Sequence, residues 1–339
     1  MLRVALFGCG RIGQVHARSI AGHDDAELAW VCDPVLPAAQ TLAARLGGHA
    51  TDNVAQVLAD PDVDAVVIAS PTPTHIDLLS RATLAGKPVL CEKPIDLDLA
   101  RIDQCWSDIA GLRPFVMMGF NRRFDPTFTQ IRRRVGAGEI GTLRALRITS
   151  RDPEPPPRAY VVSSGGIFRD MTIHDFDLAR YFLGEIAEVQ AFTADDGNEM
   201  LAAEGDAHQA MVLLRSRSGA LCTITNSRSC VFGYDQRVEA FGDNGMLEAG
   251  NQTSSSVRAS GPFGAEASDT YLRFFVERYR DAYLAEFDEF VHAVREQRQP
   301  SPGFADGRAA LVLAEAAIES AATGRTVTVS PHLTDGVLT

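Results

Sequence analysis

Leu2-Arg3-Val4-Ala5-Leu6-Phe7 runs straight into Gly8-Cys9-Gly10-Arg11-Ile12-Gly13, and this junction decides the fold. A strand-like run ends in G-x-G-x-x-G, and the pattern beyond it turns helical. Each glycine has its own task in that setting. The first permits a tight turn, the second lets the backbone approach a pyrophosphate, and the third lets helix and strand pack closely. Backbone amides at the helix start, around Arg11, Ile12 and Gly13, can then hold phosphate charge. Short apolar runs recur at 27–32, 65–69, 88–91 and 115–119, separated by helical patterns at 12–21, 37–46, 53–60, 75–85 and 98–110. Such alternation implies a parallel, doubly wound sheet with helices on both faces.

The pattern changes after Asn121. A helix over 126–135 is followed by period-two strands at 143–149, 188–192, 210–214, 221–227 and 237–241, with one amphipathic helix over 170–183. Two further helices, 272–296 and 306–321, close the chain. The proline-rich stretch 151–157 reads as a rigid extended loop within this second region. The fold class is therefore α/β. An N-terminal Rossmann domain (1–120) precedes an α+β domain (121–339) on a mostly antiparallel sheet.

Composition agrees with two folded domains, since 339 residues at about 150 per domain give two cores. Thirty-two Lys and Arg against 44 Asp and Glu leave a net charge of −12. A surface of that sign repels phosphodiester backbones and anionic lipid, so neither nucleic acid nor membrane is an expected partner. No run reaches the ~20 apolar residues of a membrane span, and Met1 leads directly into the first strand, so a cytoplasmic location is expected. The six cysteines form no C-x-x-C pair and read as reduced, buried thiols, without disulfide or structural zinc.

The second strand ends in Asp33. A carboxylate there accepts hydrogen bonds from ribose hydroxyls and repels the extra phosphate of NADP, so NAD is the expected cofactor, in preference to an ordinary turn role for Asp33. Ser70-Pro71-Thr72-Pro73-Thr74-His75 follows the next interior strand at the carboxyl edge, where such folds bind ligands, so Ser70, Thr72 and His75 join the cofactor set. Thr74 with Asp77 equally reads as a helix cap. Glu92-Lys93-Pro94 ends another strand at the same edge and adds Glu92 and Lys93. There an ammonium can polarise a hydroxyl or carbonyl oxygen without a metal. In Gly165-Gly166-Ile167-Phe168-Arg169-Asp170-Met171-Thr172-Ile173-His174, Asp170 and His174 stand at i,i+4 on one helical face. They can form either a structural pair or a carboxylate-oriented general base. No third ligand of suitable spacing accompanies them, so no metal is expected.

Together these motifs resemble the Gfo/Idh/MocA oxidoreductase family over nearly the whole chain. Gly119-Phe120-Asn121-Arg122-Arg123-Phe124-Asp125-Pro126, Thr149-Ser150-Arg151-Asp152-Pro153, the 168–177 helix and Tyr283-Leu284-Ala285-Glu286-Phe287 are similar to its inositol-oxidising branch. The resemblance implies Lys93, Asp170 and His174 as the catalytic group. It adds Arg123, Arg151 and Tyr234 to them in a substrate pocket, and implies a homo-oligomer, tetrameric in that branch. It also implies that the sheet of the second domain is large and open and that this domain carries substrate binding and oligomerisation. The expected activity is NAD-dependent oxidation of a small polyol, myo-inositol at its axial hydroxyl. Another cyclic polyol or sugar, such as scyllo-inositol or an aldose, is the nearest alternative. A non-catalytic sugar or nucleotide sensor is the reading from another class, and it would have no need of a base.

Overall fold

A computed structural model of the chain describes residues 1–195, 197–262 and 264–330. The strands are β1 (Leu2–Phe7), β2 (Ala26–Cys32), β3 (His49–Thr51), β4 (Ala65–Ile68), β5 (Val89–Glu92), β6 (Val116–Gly119), β7 (Leu143–Arg151), β8 (Ile186–Ala194), β9 (Gln209–Ser216), β10 (Leu221–Ser227), β11 (Asp235–Gly242), β12 (Gly245–Ala249), β13 (Arg258–Gly261), β14 (Gly264–Ser268) and β15 (Val327–Thr328). The first six form one sheet in the order β3-β2-β1-β4-β5-β6, with every pairing parallel. This is the doubly wound order, whose switch point falls between β1 and β4. Strand β4 is fully buried along its length, as an interior parallel strand requires.

The second sheet has seven strands in the order β12-β11-β7-β10-β9-β8-β15. Only β7 and β10 run parallel; the other pairings are antiparallel. β9 alternates strictly between exposed and buried residues, so one face of this sheet covers a core and the other lies open.

The chain forms two compact units and does not divide at a single point. One unit holds residues 1–124 and 282–311; the other holds 125–281 and 312–330. A domain running from 121 to the end therefore loses its penultimate helix. The reason lies in the apolar side of helix Arg280–Glu296, where Phe287, Phe290 and Val291 pack in one core with Leu6, Val31 and Val67. Expected helix 272–296 is broken into Phe275–Arg278 and Arg280–Glu296.

The same helix brings a carboxylate into the first unit. Glu286 is fully buried, and neither of its oxygens has a hydrogen-bond partner among the described residues. Its neighbours are Glu92 at the end of β5 and, one turn back, Tyr283, whose ring stands edge-on to His16 at 5.7 Å. His16 is itself buried, and its Nε2 lies 2.8 Å from Oε1 of Glu92. Burial, and then the charge of Glu92, push the Glu286 carboxyl well above the usual carboxylate range, which favours its neutral form.

A sign follows for stability. A carboxyl raised in the folded state contributes fully below its unfolded value, and that contribution drains away as pH climbs toward the folded value. Glu286→Gln, a neutral isostere, escapes the loss. Its melting temperature should lie nearest wild type around pH 4 and exceed it increasingly as pH rises, by about 2–4 °C for each kcal/mol recovered. A gap that closes or reverses as pH rises would mean that Glu286 is ionised and paired.

Candidate active site

In the first unit the candidate residues lie on five loops, at the carboxyl ends of β1, β2, β4, β5 and β6. Gly8 has φ +100°, and a Cβ on it would lie 2.6 Å from the carbonyl oxygen of Ala69. A Cβ on Gly13 would lie 2.1 Å from the carbonyl of Gly8, so helix Arg11–Ala21 can sit on β1 only because this residue has no side chain. Gly10 is different. A Cβ there meets nothing within 4 Å, and Gly10 precedes a helix whose first amides no side chain caps. Gly8 thus takes the positive-φ turn, Gly13 the close packing, and Gly10 leaves an open backbone cradle that suits a pyrophosphate. Arg11 is exposed and Ile12 half-buried at this opening.

Asp33 is tied to the same turn. Its Oδ2 accepts from the Cys9 amide at 2.7 Å and its Oδ1 from the Val35 amide at 2.8 Å. It is thus a turn carboxylate that also holds the glycine loop, and each oxygen keeps a lone pair for a further donor. Burial and the nearby Asp33 charge push the Cys9 thiol up to about 12, which leaves it inert.

After β4, the Ser70 hydroxyl bonds that of Thr74 at 2.6 Å, and Thr74 donates to the Pro71 carbonyl at 2.7 Å. Thr74 caps no amide, so the expected Thr74–Asp77 cap does not form. Thr72 stands half-buried in the short 3-10 turn of this loop. His75 needs correction as a direct cofactor contact. It is 1% exposed, with Nδ1 2.7 Å from the Pro94 carbonyl and Nε2 2.8 Å from that of Ser70. Its ring clasps the β4 loop to the Glu92-Lys93-Pro94 turn. Glu92 is likewise scaffold, with Oε1 on His16 and Oε2 accepting from the Lys93 amide at 3.3 Å. Lys93, next in the chain, is only half-buried.

Arg123 also lies in this unit and is 8% exposed. Its Nη2 donates to Oδ1 of Asp306 at 3.0 Å, and Oδ2 of Asp306 accepts from the Gly303 amide at 2.9 Å. A buried guanidinium requires such a partner. The structure therefore uses Arg123 to brace the 301–306 loop, in place of the open pocket position expected.

In the second unit Asp170 falls in a single π-helical turn, Phe168–Thr172, that leads into helix Ile173–Leu183. Such turns recur at functional sites. Asp175 and Asp177 are buried, Asp175 accepting from Asn226 Nδ2 at 2.7 Å, whereas Asp170 and His174 remain partly open. Two partners of Asp170 escaped sequence reasoning. The Tyr160 hydroxyl donates to its Oδ1 at 2.7 Å, and Nη1 of fully buried Arg228 donates to its Oδ2 at 3.4 Å. Tyr160 lies in helix Arg158–Ser164, which follows the proline-rich loop and was not foreseen because its Val161-Val162 pair favours strand.

Arg151 ends β7, partly exposed, and donates to Oδ2 of the buried Asp235 at 3.1 Å. Tyr234 departs from expectation. It is 4% exposed and packed edge-on against Tyr279 and Phe274, at 5.9 and 6.5 Å. Its ring is part of an aromatic cluster, which leaves it little exposed surface for the pocket role expected.

Comparison with known proteins places these features. Residues 2–120 match the profile of an oxidoreductase family with an NAD-binding Rossmann fold, and residues 128–248 match the GFO/IDH/MocA C-terminal domain. Inositol 2-dehydrogenase of Rhizobium meliloti (strain 1021) is 42% identical over 97% of this chain and 99% of its own. The structure of a myo-inositol dehydrogenase from Corynebacterium glutamicum superposes with a TM-score of 0.95 at 50% identity, covering 98% of this chain and 99% of that one. A scyllo-inositol dehydrogenase from Lactobacillus casei, solved with NAD(H) and scyllo-inositol, gives a TM-score of 0.88 at 28% identity, covering 97% of this chain and 99% of that one.

Proposed function

The chain belongs to the GFO/IDH/MocA family of NAD-binding oxidoreductases, and from that premise we propose that it oxidises myo-inositol at its axial hydroxyl to the 2-ketone. One observation carries the roles. Of the ionisable groups between 170 and 177, Asp175 and Asp177 are sealed into the scaffold while Asp170 and His174 stay partly open. His174 accepts the hydroxyl proton, Asp170 orients His174, and Lys93 hydrogen-bonds the reacting oxygen. Bound NAD supplies the acceptor for the hydride. Gly8, Gly10 and Gly13 shape its phosphate cradle, with Arg11, Ile12, Ser70 and Thr72 bordering it and Asp33 facing the ribose. Arg151 completes the polyol contacts.

A homo-oligomer, tetrameric, belongs to the same reading. The open face of the seven-stranded sheet presents Phe192, Met211, Leu213, Leu221, Phe241 and Met246, each about half exposed, and a contiguous apolar patch of this kind marks an interface. The six cysteines, all free buried thiols, suit the reducing cytoplasm.

Turnover tests the roles. His174→Ala should lower kcat by roughly 100-fold or more with NAD affinity near wild type. Lys93→Ala should cost about 3 kcal/mol of transition-state stabilisation with an unchanged melting curve, because it removes a cation where negative charge develops. Unchanged turnover in either variant would return that residue to a purely structural role.

A panel of myo-inositol, scyllo-inositol and glucose with NAD at one pH tests the substrate. The axial hydroxyl of myo-inositol leaves its carbon-bound hydrogen equatorial, whereas an all-equatorial isomer presents that hydrogen axially, so one site geometry does not serve both equally. Sites built on hydrogen bonds discriminate by up to about 10⁴-fold in favourable cases. Myo-inositol should react fastest and glucose slowest; preference for scyllo-inositol or glucose would reassign the substrate and leave the chemistry standing. NAD should beat NADP by at least roughly 100-fold, about 2.7 kcal/mol, through the charge of Asp33, and Asp33→Ser should narrow the gap.

A further inference from the structure

Asp170 is held by groups that have no part in the roles given above. Tyr160, 48% exposed as a residue, donates its hydroxyl to Oδ1 at 2.7 Å. Arg228 approaches Oδ2 from the protein interior, 0% exposed, with Nη1 at 3.4 Å. The other arm of that guanidinium, Nη2, lies 2.8 Å from Oδ2 of buried Asp206. Asp206 in turn accepts from the amide of Ile167 at 2.7 Å and from its neighbour Ala207 at 2.8 Å. Ile167 is the residue immediately before the π turn that carries Asp170. The contacts close a ring: Asp206 fixes the start of the turn, Arg228 joins Asp206 to the carboxylate the turn presents, and Tyr160 grips that carboxylate from the solvent side.

We propose that Tyr160 and Arg228 are positioning residues that clamp the Asp170 carboxylate from two sides in the one orientation in which it can serve His174. The proposal rests on the assignment of Asp170 and His174 made above and deepens it. Two features argue against a merely structural ring. First, a guanidinium fully removed from water is costly, and replacing buried ion pairs by apolar groups is often neutral or stabilising. Here the group is aimed at a carboxylate that stays partly open. Second, Tyr160 is about half exposed as a residue, yet it turns its hydroxyl onto Oδ1 of Asp170, and that bond fixes a direction that water would leave free. Arg228 and Tyr160 reach different oxygens, so the carboxylate can neither flip nor swing without breaking one contact.

The experiment is a double-mutant cycle with the full-length protein and NAD, using the best polyol of the three-member panel. Tyr160→Phe removes one hydroxyl and should lower kcat about 10-fold, as expected for a hydrogen bond to a charged group, with KM for the polyol within about twofold. The melting temperature should stay within a few degrees of wild type. Combined with Asp170→Asn, Tyr160→Phe should lower kcat no further, because the clamp then has nothing to hold. Arg228→Lys, which keeps the charge but loses the fork, should fall at least about 10-fold in kcat and show the same non-additivity. Independent factors that multiply in the double variants would overturn the clamp, and so would a Tyr160→Phe enzyme with wild-type kcat. If Asp170→Asn alone leaves kcat intact, the role of Asp170 itself fails, and the clamp with it.

An optical titration reads the contact without any turnover. Burial, followed by the Asp170 charge, holds the Tyr160 phenol above the usual tyrosine range. The wild-type-minus-Tyr160→Phe tyrosinate absorbance should therefore appear late in alkali and move to lower pH in the Asp170→Asn background. No movement would show that the two groups do not face each other in solution.

Discussion

The first unit hangs on the buried carboxylate of Glu92. One oxygen binds His16, on the helix that starts at the glycine loop, and the other accepts from the amide of Lys93. A single side chain therefore couples the element that cradles a pyrophosphate to the turn that presents the ammonium. His75 repeats the device one strand away, binding the carbonyls of Ser70 and Pro94 at once. Around Glu92 the packing leaves no slack: a Cβ on Gly119 of the adjacent strand would lie 3.0 Å from the Glu92 carboxyl carbon. Charge state is controlled as tightly as position. Burial, and then the charge of Glu92, push the Glu286 carboxyl upward, so the two carboxyls do not share this space on equal terms.

The second unit follows the same logic with the sign reversed. There a buried cation, Arg228, stands behind a partly open carboxylate, whereas in the first unit a buried anion stands behind a partly open lysine. Neighbouring polar groups serve the frame: Asn226 spans Thr172 and Asp175 at 2.7 Å each, pinning the helix that carries His174 to β10. In the first unit the buried group holds the backbone of a candidate residue and in the second its carboxylate, and anchoring of either kind limits how far such a residue can drift.

Much of this was legible in the sequence because it is local. The glycine spacing, the run lengths and the alternation of the first 120 residues determine a parallel sheet, and β1 and β10 begin and end where their hydrophobic pattern does. What escaped is short or distant. β3 and β15 have three and two residues, too few for any period to show. The π turn at Phe168–Thr172 cannot be told from α-helix by spacing, although it alters the i,i+4 relation on which the Asp170–His174 reading stood. Arg123, His75 and Tyr234 have site chemistry as residue types, and only their burial shows them to be scaffold. Arg228 and Asp206 lie 58 and 36 positions from Asp170, and nothing in a single sequence joins them. Tyr160 is nearer, but it sits in a helix whose composition argues for strand.

Glu286 and Arg228 are poor choices for stability alone, since each takes an ionisable group wholly out of water. A chain of this size can tolerate them because its apolar cores are continuous around them: Phe287 and Phe290 flank Glu286 on its own helix, and the π turn beside Arg228 is seated by buried Phe168 and Met171. The same cores supply the rigidity without which a buried charge would draw in water and relax. The burial that makes these groups costly also makes them effective, because a dipole or charge acts at greater strength where the surroundings cannot reorganise to screen it. Local destabilisation and local order thus have one physical origin in this fold. The places where its sequence departs from what a stable scaffold requires lie beside Glu92 and Asp170.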